Sequence, residues 1–241
     1  MYPMSLVAIE EMLENYRPQF AAVVPFRSES DRLVQLDFTV TNTELTTDIL
    51  NDTGKFCDYI NQKLATAGAK YGIGGYNEHR TVYSRSPVFD AEKTGEEPRR
   101  LHLGTDLWGD AGTAVMAPLD SVVHSFAFNN NFGDYGTTII LSHMLEEITF
   151  YTLYGHLGLD AIRDLQEGKI IPKGEVFAQF GIPEENGYWP PHLHFQIIKD
   201  LQGWNGDYPG VCKLSERGMY LANCPDPDLV LQLNRFSDTI S

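Results

Sequence analysis

The period of hydrophobic and polar positions changes along the first 98 residues. SLVAIEEMLENY carries apolar residues at helical spacing, and so does ILNDTGKFCDYINQKLATAG. RLVQLDFTV alternates apolar and polar residues, as a half-buried strand does. The Gly-rich and charged stretches YGIGGYNEHR and DAEKTGEEPRR are typical of loops. We therefore predict a mixed α/β N-terminal extension over residues 1–98, and the pattern leaves its role open.

From residue 99 to residue 200 the pattern changes to short, strand-length segments that Gly, Pro and Asn separate. These segments are rich in β-branched and aromatic residues, and LDAIRDLQEG alone suggests a helical turn. The strand segments are TAVMAPL, SVVHSFAF, GTTIILSH, ITFYTLYGHL, VFAQFG and HLHFQII. Such spacing predicts a β-rich fold, a sandwich or barrel within an α+β chain, and not a βαβ fold. Residues 201–241 are predicted to form a Pro/Gly-rich tail that packs on this core.

The net charge of the chain limits the classes of partner that we expect. The chain of 241 residues has 33 Asp and Glu against 18 Lys and Arg, a net charge of −15. An acidic surface repels polyanions, so nucleic acid and anionic membranes are not expected partners. No apolar run approaches the roughly 18 residues that a membrane-spanning helix needs. The N-terminus lacks the pattern of a secretory signal, so we expect a cytoplasmic protein unless a leader was removed.

The cysteines do not indicate a metal ribbon or a disulfide framework. Cys57, Cys212 and Cys224 are odd in number and show no CxxC spacing. We expect three thiols, with a Cys212–Cys224 bridge as the alternative.

Four of the seven histidines fall in three short groups of the β-rich region. His102 and Asp106 flank a glycine in HLGTD, His156 follows in YGHL, and His192 and His194 form HLH. On a strand the HLH spacing places both imidazoles on one face, where a metal can satisfy their ring nitrogens. His102, Asp106 and one histidine of HLH give the three protein ligands of a catalytic zinc site, and spacing alone does not choose between the two. The remaining three, His79, His124 and His143, are interpreted as ordinary histidines.

Several motifs in register resemble the M23 (lysostaphin/LytM-like) zinc metallopeptidases. They cover about 100 of the 241 residues and comprise HLGTD, AGTAVMAPLDSVV, GDYGTTIILSH, YGHLG, GKIIPKGEVFAQFG and PPHLHFQI. The resemblance implies a compact antiparallel β-sheet core with a groove across one sheet. It implies zinc held by His102, Asp106 and His194, with His156 and His192 as a catalytic pair around a zinc-activated water. It does not say which of the two is the general base. The expected activity is endopeptidase hydrolysis of peptide or peptidoglycan-fragment substrates, such as small peptides that contain Gly or D-amino acids.

The chain departs from the family pattern beside the cleft. Tyr188-Trp189-Pro190 stands where the family has small residues, and Gln196 replaces a frequent Glu. Tyr188 and Trp189 are therefore predicted to form part of a substrate cleft, and Tyr154 joins them because it shares the strand parity of His156.

The loop that begins at Asn77 is expected to fold over this cleft. Its arginines are predicted either to meet a substrate carboxylate or to be solvated: Arg80, Arg85, Arg99 and Arg100. Two alternatives to the peptidoglycan-type peptidase stay open. One is a non-catalytic, zinc-binding LytM-like regulatory or interaction module, and the other is a metallohydrolase that acts on an intracellular peptide.

Overall fold

An open nine-stranded sheet forms the centre of the molecule in a computed structural model, which describes residues 7–91, 93 and 95–238. The described strands are β1 (Leu33–Leu36), β2 (Tyr71–Gly74), β3 (Leu101–His102), β4 (Thr105–Trp108), β5 (Ala114–Met116), β6 (Ser121–Asn129), β7 (Gly136–Leu145), β8 (Ile148–Leu157), β9 (Ile170–Ile171), β10 (Val176–Gln179), β11 (His192–Ile198), β12 (Val211–Cys212) and β13 (Ser237–Asp238). The described α-helices are α1 (Val7–Tyr16), α2 (Thr47–Asn51), α3 (Thr53–Ala67), α4 (Arg217–Asn223) and α5 (Asp228–Leu231). Short 3₁₀ turns lie at Arg17–Gln19, Val82–Arg85, Pro87–Phe89, Leu159–Ile162, Leu214–Glu216 and Asn234–Phe236.

The sheet is mixed, and its strand order is β13-β1-β2-β4-β11-β8-β7-β6-β9. The pairs β13–β1 and β1–β2 are parallel, whereas the pairs from β2 to β9 are antiparallel. Two smaller antiparallel pairs, β5–β10 and β3–β12, lie beside it. The predicted β-rich α+β fold with an antiparallel core is thus confirmed. Barrel closure is not found in the described part of the chain, because β13 and β9 end the sheet without pairing to each other.

Strands from the N-terminal extension and the tail belong to the same sheet as the strands between residues 99 and 200. β2 pairs with β4, and β1 pairs with both β2 and β13. The division of the chain at residues 98 and 200 stays a prediction. Of the predicted helix over residues 5–16, residues 5 and 6 lie outside the described residues.

The helical pattern between residues 49 and 68 is confirmed as two helices with local stop and start signals. The side chain of Asp52 accepts a hydrogen bond from the Lys55 amide at 3.0 Å and so caps α3. Gly68 ends α3 in the left-handed conformation, at φ 58°. The apolar positions of α3 that helical spacing brings to one side are buried: Phe56, Ile60 and Leu64.

The prediction of a loop over YGIGGYNEHR is wrong at its start, where Tyr71–Gly74 is strand β2. Its glycines allow close packing that a side chain would prevent. A Cβ on Gly72 would lie 2.5 Å from Leu36 Cδ1, and one on Gly74 would lie 2.6 Å from Arg80 Nη2. Gly residues in a strand mark such close approach as readily as they mark a turn.

Successive side chains of β11 alternate between the apolar core and the face that carries the two histidines. Leu193 and Phe195 are fully buried in the main apolar core, whereas His192 and His194 belong to the opposite face. A second apolar cluster, which includes Trp108 and Trp189, connects α3 to the sheet. One face of β11 is therefore packed into the apolar core, and the other presents the two imidazoles.

All three cysteines are free thiols, as predicted. No helix in the described ranges is long and apolar enough to cross a bilayer.

We expect Gly187→Ala to cost about 2–5 kcal/mol of unfolding free energy, because it combines left-handed strain with overpacking. Gly187 has φ 83°, and a Cβ there would lie 1.9 Å from the Asp134 carbonyl oxygen. Gly168→Ala is the matched control, since Gly168 has φ 82° with nothing within 4 Å of the added Cβ. Only the strain of about 1–2 kcal/mol is expected there. Urea denaturation measures both, and equal losses would contradict the packing argument.

Candidate metal centre and active site

Strand register brings the first three polar side chains together. His194 on β11 pairs directly with Asp106 on β4, and His102 ends the short strand β3. One ligand atom from each of the three lies within 4.8 Å of the others. Between His102 and β4, Gly104 lies so close to the His194 ring that a Cβ would be 2.5 Å from Cε1. Of the two histidines on β11, His194 is therefore the one that joins His102 and Asp106.

The hydrogen bonds of both histidines fix which ring nitrogen is free. His102 Nδ1 donates to the Gly75 carbonyl at 3.0 Å, so Nε2 carries the lone pair. His194 Nε2 donates to Gln196 Oε1 at 2.9 Å, so Nδ1 carries its lone pair. The Gln196 amide is itself oriented, since its Nε2 donates to the Pro209 carbonyl and to Cys224 Sγ. Outer partners of this kind orient metal-binding histidines in proteins.

The three donor atoms fit a metal ion. His102 Nε2 and His194 Nδ1 lie 2.9 Å apart, and Asp106 Oδ1 lies 3.2 Å and 3.1 Å from them. Ligands around tetrahedral zinc stand about 3.3 Å apart at bond lengths of about 2 Å. Two lone pairs and a carboxylate oxygen that face one another repel, and a cation between them removes that repulsion. The described residues contain no other group of three such ligands.

Burial and charge keep His102 and Asp106 in the protonation state that a metal needs. Burial, helped by the nearby Arg80 guanidinium, lowers the pKa of His102 to about 4. Burial acts to raise the pKa of Asp106, but its neighbours, the Arg80 guanidinium among them, outweigh it and hold that pKa well below its usual range. His102 is therefore neutral and Asp106 ionised near neutral pH.

His156 and His192 lie beside this set, and both present a free Nε2. His156 Nδ1 donates to the Asn186 carbonyl at 2.7 Å, and His192 Nδ1 donates to the Pro190 carbonyl at 2.8 Å. Their ring centroids are 4.1 Å apart. Burial lowers the pKa of His192 to about 4, and burial together with His192 lowers the pKa of His156 well below its usual range.

Two features hold this pair in place. His192 stacks on Trp108 with 3.8 Å between the ring centroids. His156 has φ 64°, a backbone conformation that is rare for residues other than Gly. Asn186, which sequence reasoning missed, is fully buried and fastens its own loop through hydrogen bonds to Gly181 and Trp189. No local motif marks Asn186, because its role is to offer its backbone carbonyl to His156, 30 residues away on β8.

Of the predicted cleft residues Tyr188 and Trp189, the structure places only Trp189 in the cleft. Trp189 lines the cleft, and its ring centroid lies 6.2 Å from that of His156. Tyr188 is 40% exposed, lies against Phe132 and is not among the residues that line the cleft.

The placement of Tyr154 in the cleft is wrong. Its side chain is fully buried in the main core, against Phe177 and Phe195. The positive φ of His156 interrupts the alternation along β8, so parity with His156 does not place Tyr154 on the same face.

A cleft of about 140 Å³ is lined by Asp106, His156, His192 and His194. The segment that includes Val82–Arg85 and Pro87–Phe89 forms one wall, in agreement with the expectation that this loop folds over the cleft. Tyr135, which the sequence did not single out, also lines it, with its hydroxyl 3.4 Å from His194 Nε2. The five candidate residues are all less than a tenth exposed: His102, Asp106, His156, His192 and His194. A short substrate that enters this cleft would therefore be largely desolvated.

The four arginines of the preceding loop have different roles. Arg80 is buried and bonded to Asp106 and Glu78, so its interpretation as a solvated side chain is wrong, and it is among the residues that line the cleft. Arg85 is buried among aromatic rings, and Arg100 pairs with Asp90. Arg99 lines the cleft.

Residues 100–207, which carry all five candidate side chains, match the family model described as Peptidase family M23. These residues belong to that family. The M23 region includes β3 to β11 and thus the strands that bring the ligands together.

Two relatives match parts of the chain. An L-Ala--D-Glu endopeptidase of Bacillus subtilis (strain 168) is 32% identical over 142 residues, which cover 54% of this chain and 41% of that protein. A protein of Haemophilus influenzae named as an uncharacterized metalloprotease is 30% identical over 140 residues, which cover 58% of this chain and 27% of that protein. The chain thus spans less than half the length of either relative.

Among solved structures, the catalytic domain of the antimicrobial peptidase lysostaphin from Staphylococcus simulans is similar to this chain. The two are 16% identical with a TM-score of 0.38, and the match covers 68% of this chain and 96% of that domain.

We expect His102→Ala or His194→Ala to weaken zinc binding by more than the ~100-fold that loss of an outer partner costs, since each removes a donor atom. His143→Ala is the matched control, because His143 is equally buried but bonds Thr152 outside the cleft. Competition with a chromophoric chelator gives the zinc Kd of each variant. An equal loss in the control would show that general destabilisation, and not ligand removal, is responsible.

Proposed function

We propose that this chain is a zinc-dependent endopeptidase that hydrolyses peptide bonds. His102, Asp106 and His194 hold the metal, and His156 and His192 handle protons beside it. The observation that carries the proposal is the meeting of three metal-ligand atoms beside a cleft that two further neutral imidazoles line, in an M23 region.

The metal and the protein have separate parts in this chemistry. When bound, zinc acts as a Lewis acid and lowers the pKa of a coordinated water to about 7. The protein excludes bulk water, since the five side chains are almost entirely buried. It also sets the direction of each imidazole lone pair through a hydrogen bond on the opposite ring nitrogen.

The His156–His192 pair carries one proton at a time. Both rings are neutral before reaction, so either Nε2 can accept a proton as a general base. Once one ring is charged, the other, with its centroid 4.1 Å away, is prevented from charging by repulsion. The charged ring can then donate to the developing oxyanion or to the leaving amine. The pair therefore acts as a unit, and which member is the base stays open.

The cleft favours a short peptide as substrate. The wall formed by the N-terminal segment covers one side of the cleft and leaves less room for a bulky polymer than for a short peptide. Apolar rings and a few polar groups line it, among them Trp189, Tyr208, Arg99 and Asp207. This arrangement suits the backbone and charged ends of a small peptide. We propose fragments of peptidoglycan-type peptides, with Gly or D-amino acids, as the substrate class, and the L-Ala--D-Glu endopeptidase activity named for one relative supports it. A short intracellular peptide remains the second candidate that this small cleft favours.

The regulatory-module alternative predicts that one or more of the reacting side chains is misplaced. Here the ligand atoms of His102, Asp106 and His194 converge, and His156 and His192 both keep a free nitrogen beside them. This supports an enzyme over a module that only binds partners.

We expect His156→Ala to retain stoichiometric zinc and to lose about 10²–10⁴-fold in kcat, the usual contribution of a general acid–base group. Metal analysis and peptide cleavage on the same preparation measure the two effects. Full activity in this variant would refute the assignment of His156.

We expect zinc removal by a chelator to abolish cleavage of short muropeptides and zinc addition to restore it, because the donor set fits a metal ion. The same preparation should act poorly on intact cell-wall polymer, because the wall formed by the N-terminal segment covers one side of the cleft. A panel of muropeptides, Gly-rich peptides and D-amino-acid dipeptides, read by mass spectrometry, identifies the scissile bond. Zinc at full stoichiometry without cleavage of any member would favour the non-catalytic module.

A further inference from the structure

Residues 75–80 lie outside the M23 region of residues 100–207, yet they touch two of its three candidate ligands. The Gly75 carbonyl accepts the hydrogen bond from His102 Nδ1 at 3.0 Å. Arg80 Nη1 donates to Asp106 Oδ2 at 2.5 Å. A segment of the N-terminal extension thus supplies the outer partners of His102 and Asp106.

The structure is built to hold Arg80 at this place. The side chain is 1% exposed, and its Nε donates to Glu78 Oε2 at 2.6 Å. Its guanidinium lies 5.2 Å from the centre of the Phe38 ring. Room for it exists because Gly74 has no Cβ, which would lie 2.6 Å from Nη2. A buried guanidinium with one carboxylate on each side has a single orientation.

The orientation of the Arg80 guanidinium determines which carboxylate oxygen of Asp106 faces His102 and His194. Its Oδ1 faces His102 and His194, and its Oδ2 is occupied by Arg80. The carboxylate therefore offers one oxygen to a metal. Without Arg80, Oδ2 would be a buried charged atom with a lost partner, a costly state that Asp106 can relieve by rotating or by taking up a proton.

Charge around the site remains suited to a cation. Arg80 alone would repel a metal ion and weaken its binding, but Glu78 balances it. The Glu78–Arg80–Asp106 group as a whole carries one negative charge. Arg80 can therefore orient the Asp106 carboxylate without giving the site a net positive charge.

We propose that Arg80 is a positioning residue for the metal centre, and that residues 75–80 complete a site which the M23 region alone does not. The proposal rests on the metal centre named under the proposed function, and it gives the N-terminal extension a role. Arg80 acts through Asp106, since that is the candidate ligand to which its guanidinium donates.

Zinc affinity tests the proposal without any measurement of peptide cleavage. Arg80→Met keeps the bulk of the side chain and removes its donors, and we expect zinc Kd to rise about 10–100-fold, as for loss of other outer partners. Arg80→Lys keeps the charge but lacks the planar fork that joins two carboxylates, so we expect a partial rescue. The visible spectrum of the cobalt-substituted protein should change in Arg80→Met, because it reports the geometry of Asp106.

Arg85→Met is the matched control. Arg85 is also a buried arginine of this segment, but it lies over Trp189 and donates to Thr53 and not to a candidate ligand. Thermal unfolding of the metal-free proteins shows whether both variants lose similar stability. The proposal expects an unchanged zinc Kd in Arg85→Met at a similar loss of stability.

The opposite results overturn the proposal. An unchanged or tighter zinc Kd in Arg80→Met, with the cobalt spectrum of the wild type, shows that Asp106 needs no positioning by Arg80. If Arg80→Met does not fold, a wild-type zinc Kd in Arg80→Lys has the same meaning. A wild-type protein that binds zinc but cleaves no peptide refutes the peptidase and leaves this inference standing, whereas one that binds no zinc overturns both.

Discussion

The pairing of β4 with β11 is the constraint on which the site depends. It places Asp106 directly opposite His194, and the bend at Gly104 adds His102 at the same point. Three lone-pair atoms within about 3 Å of one another are mutually repulsive, so this arrangement persists only because the strands that carry them are fixed by the packed core. The core thus supports a local arrangement that a metal ion would stabilise.

The four imidazoles of the site are oriented by the same kind of hydrogen bond. Each donates one ring N–H to a fixed oxygen: the Gly75, Asn186 and Pro190 carbonyls and the Gln196 side chain. The other nitrogen of each ring is thereby left as an acceptor. Burial keeps the rings of His102, His156 and His192 neutral, so binding of a metal and acceptance of a proton require no prior deprotonation.

The supporting groups come from distant parts of the chain. The N-terminal extension contributes Gly75 and Arg80, the loop before β11 contributes Asn186, and Pro209 and Cys224 hold Gln196 from the C-terminal side. The M23 region therefore carries the reacting side chains, while their orientation also depends on residues outside residues 100–207.

The sequence by itself determined which residue types could react and on which side of a strand they lie. The HLH spacing predicts correctly that His192 and His194 share a face opposite Leu193, because alternation is a local property of an extended chain. Only the tertiary structure decided the partners. Tyr154 belongs to the core because His156 has a positive φ. Tyr71–Gly74 is a strand because Leu36 and Arg80 fill the space that its glycines leave. Arg80 is buried because Glu78 and Asp106 neutralise its charge. Each depends on contacts between residues that the local sequence pattern does not connect.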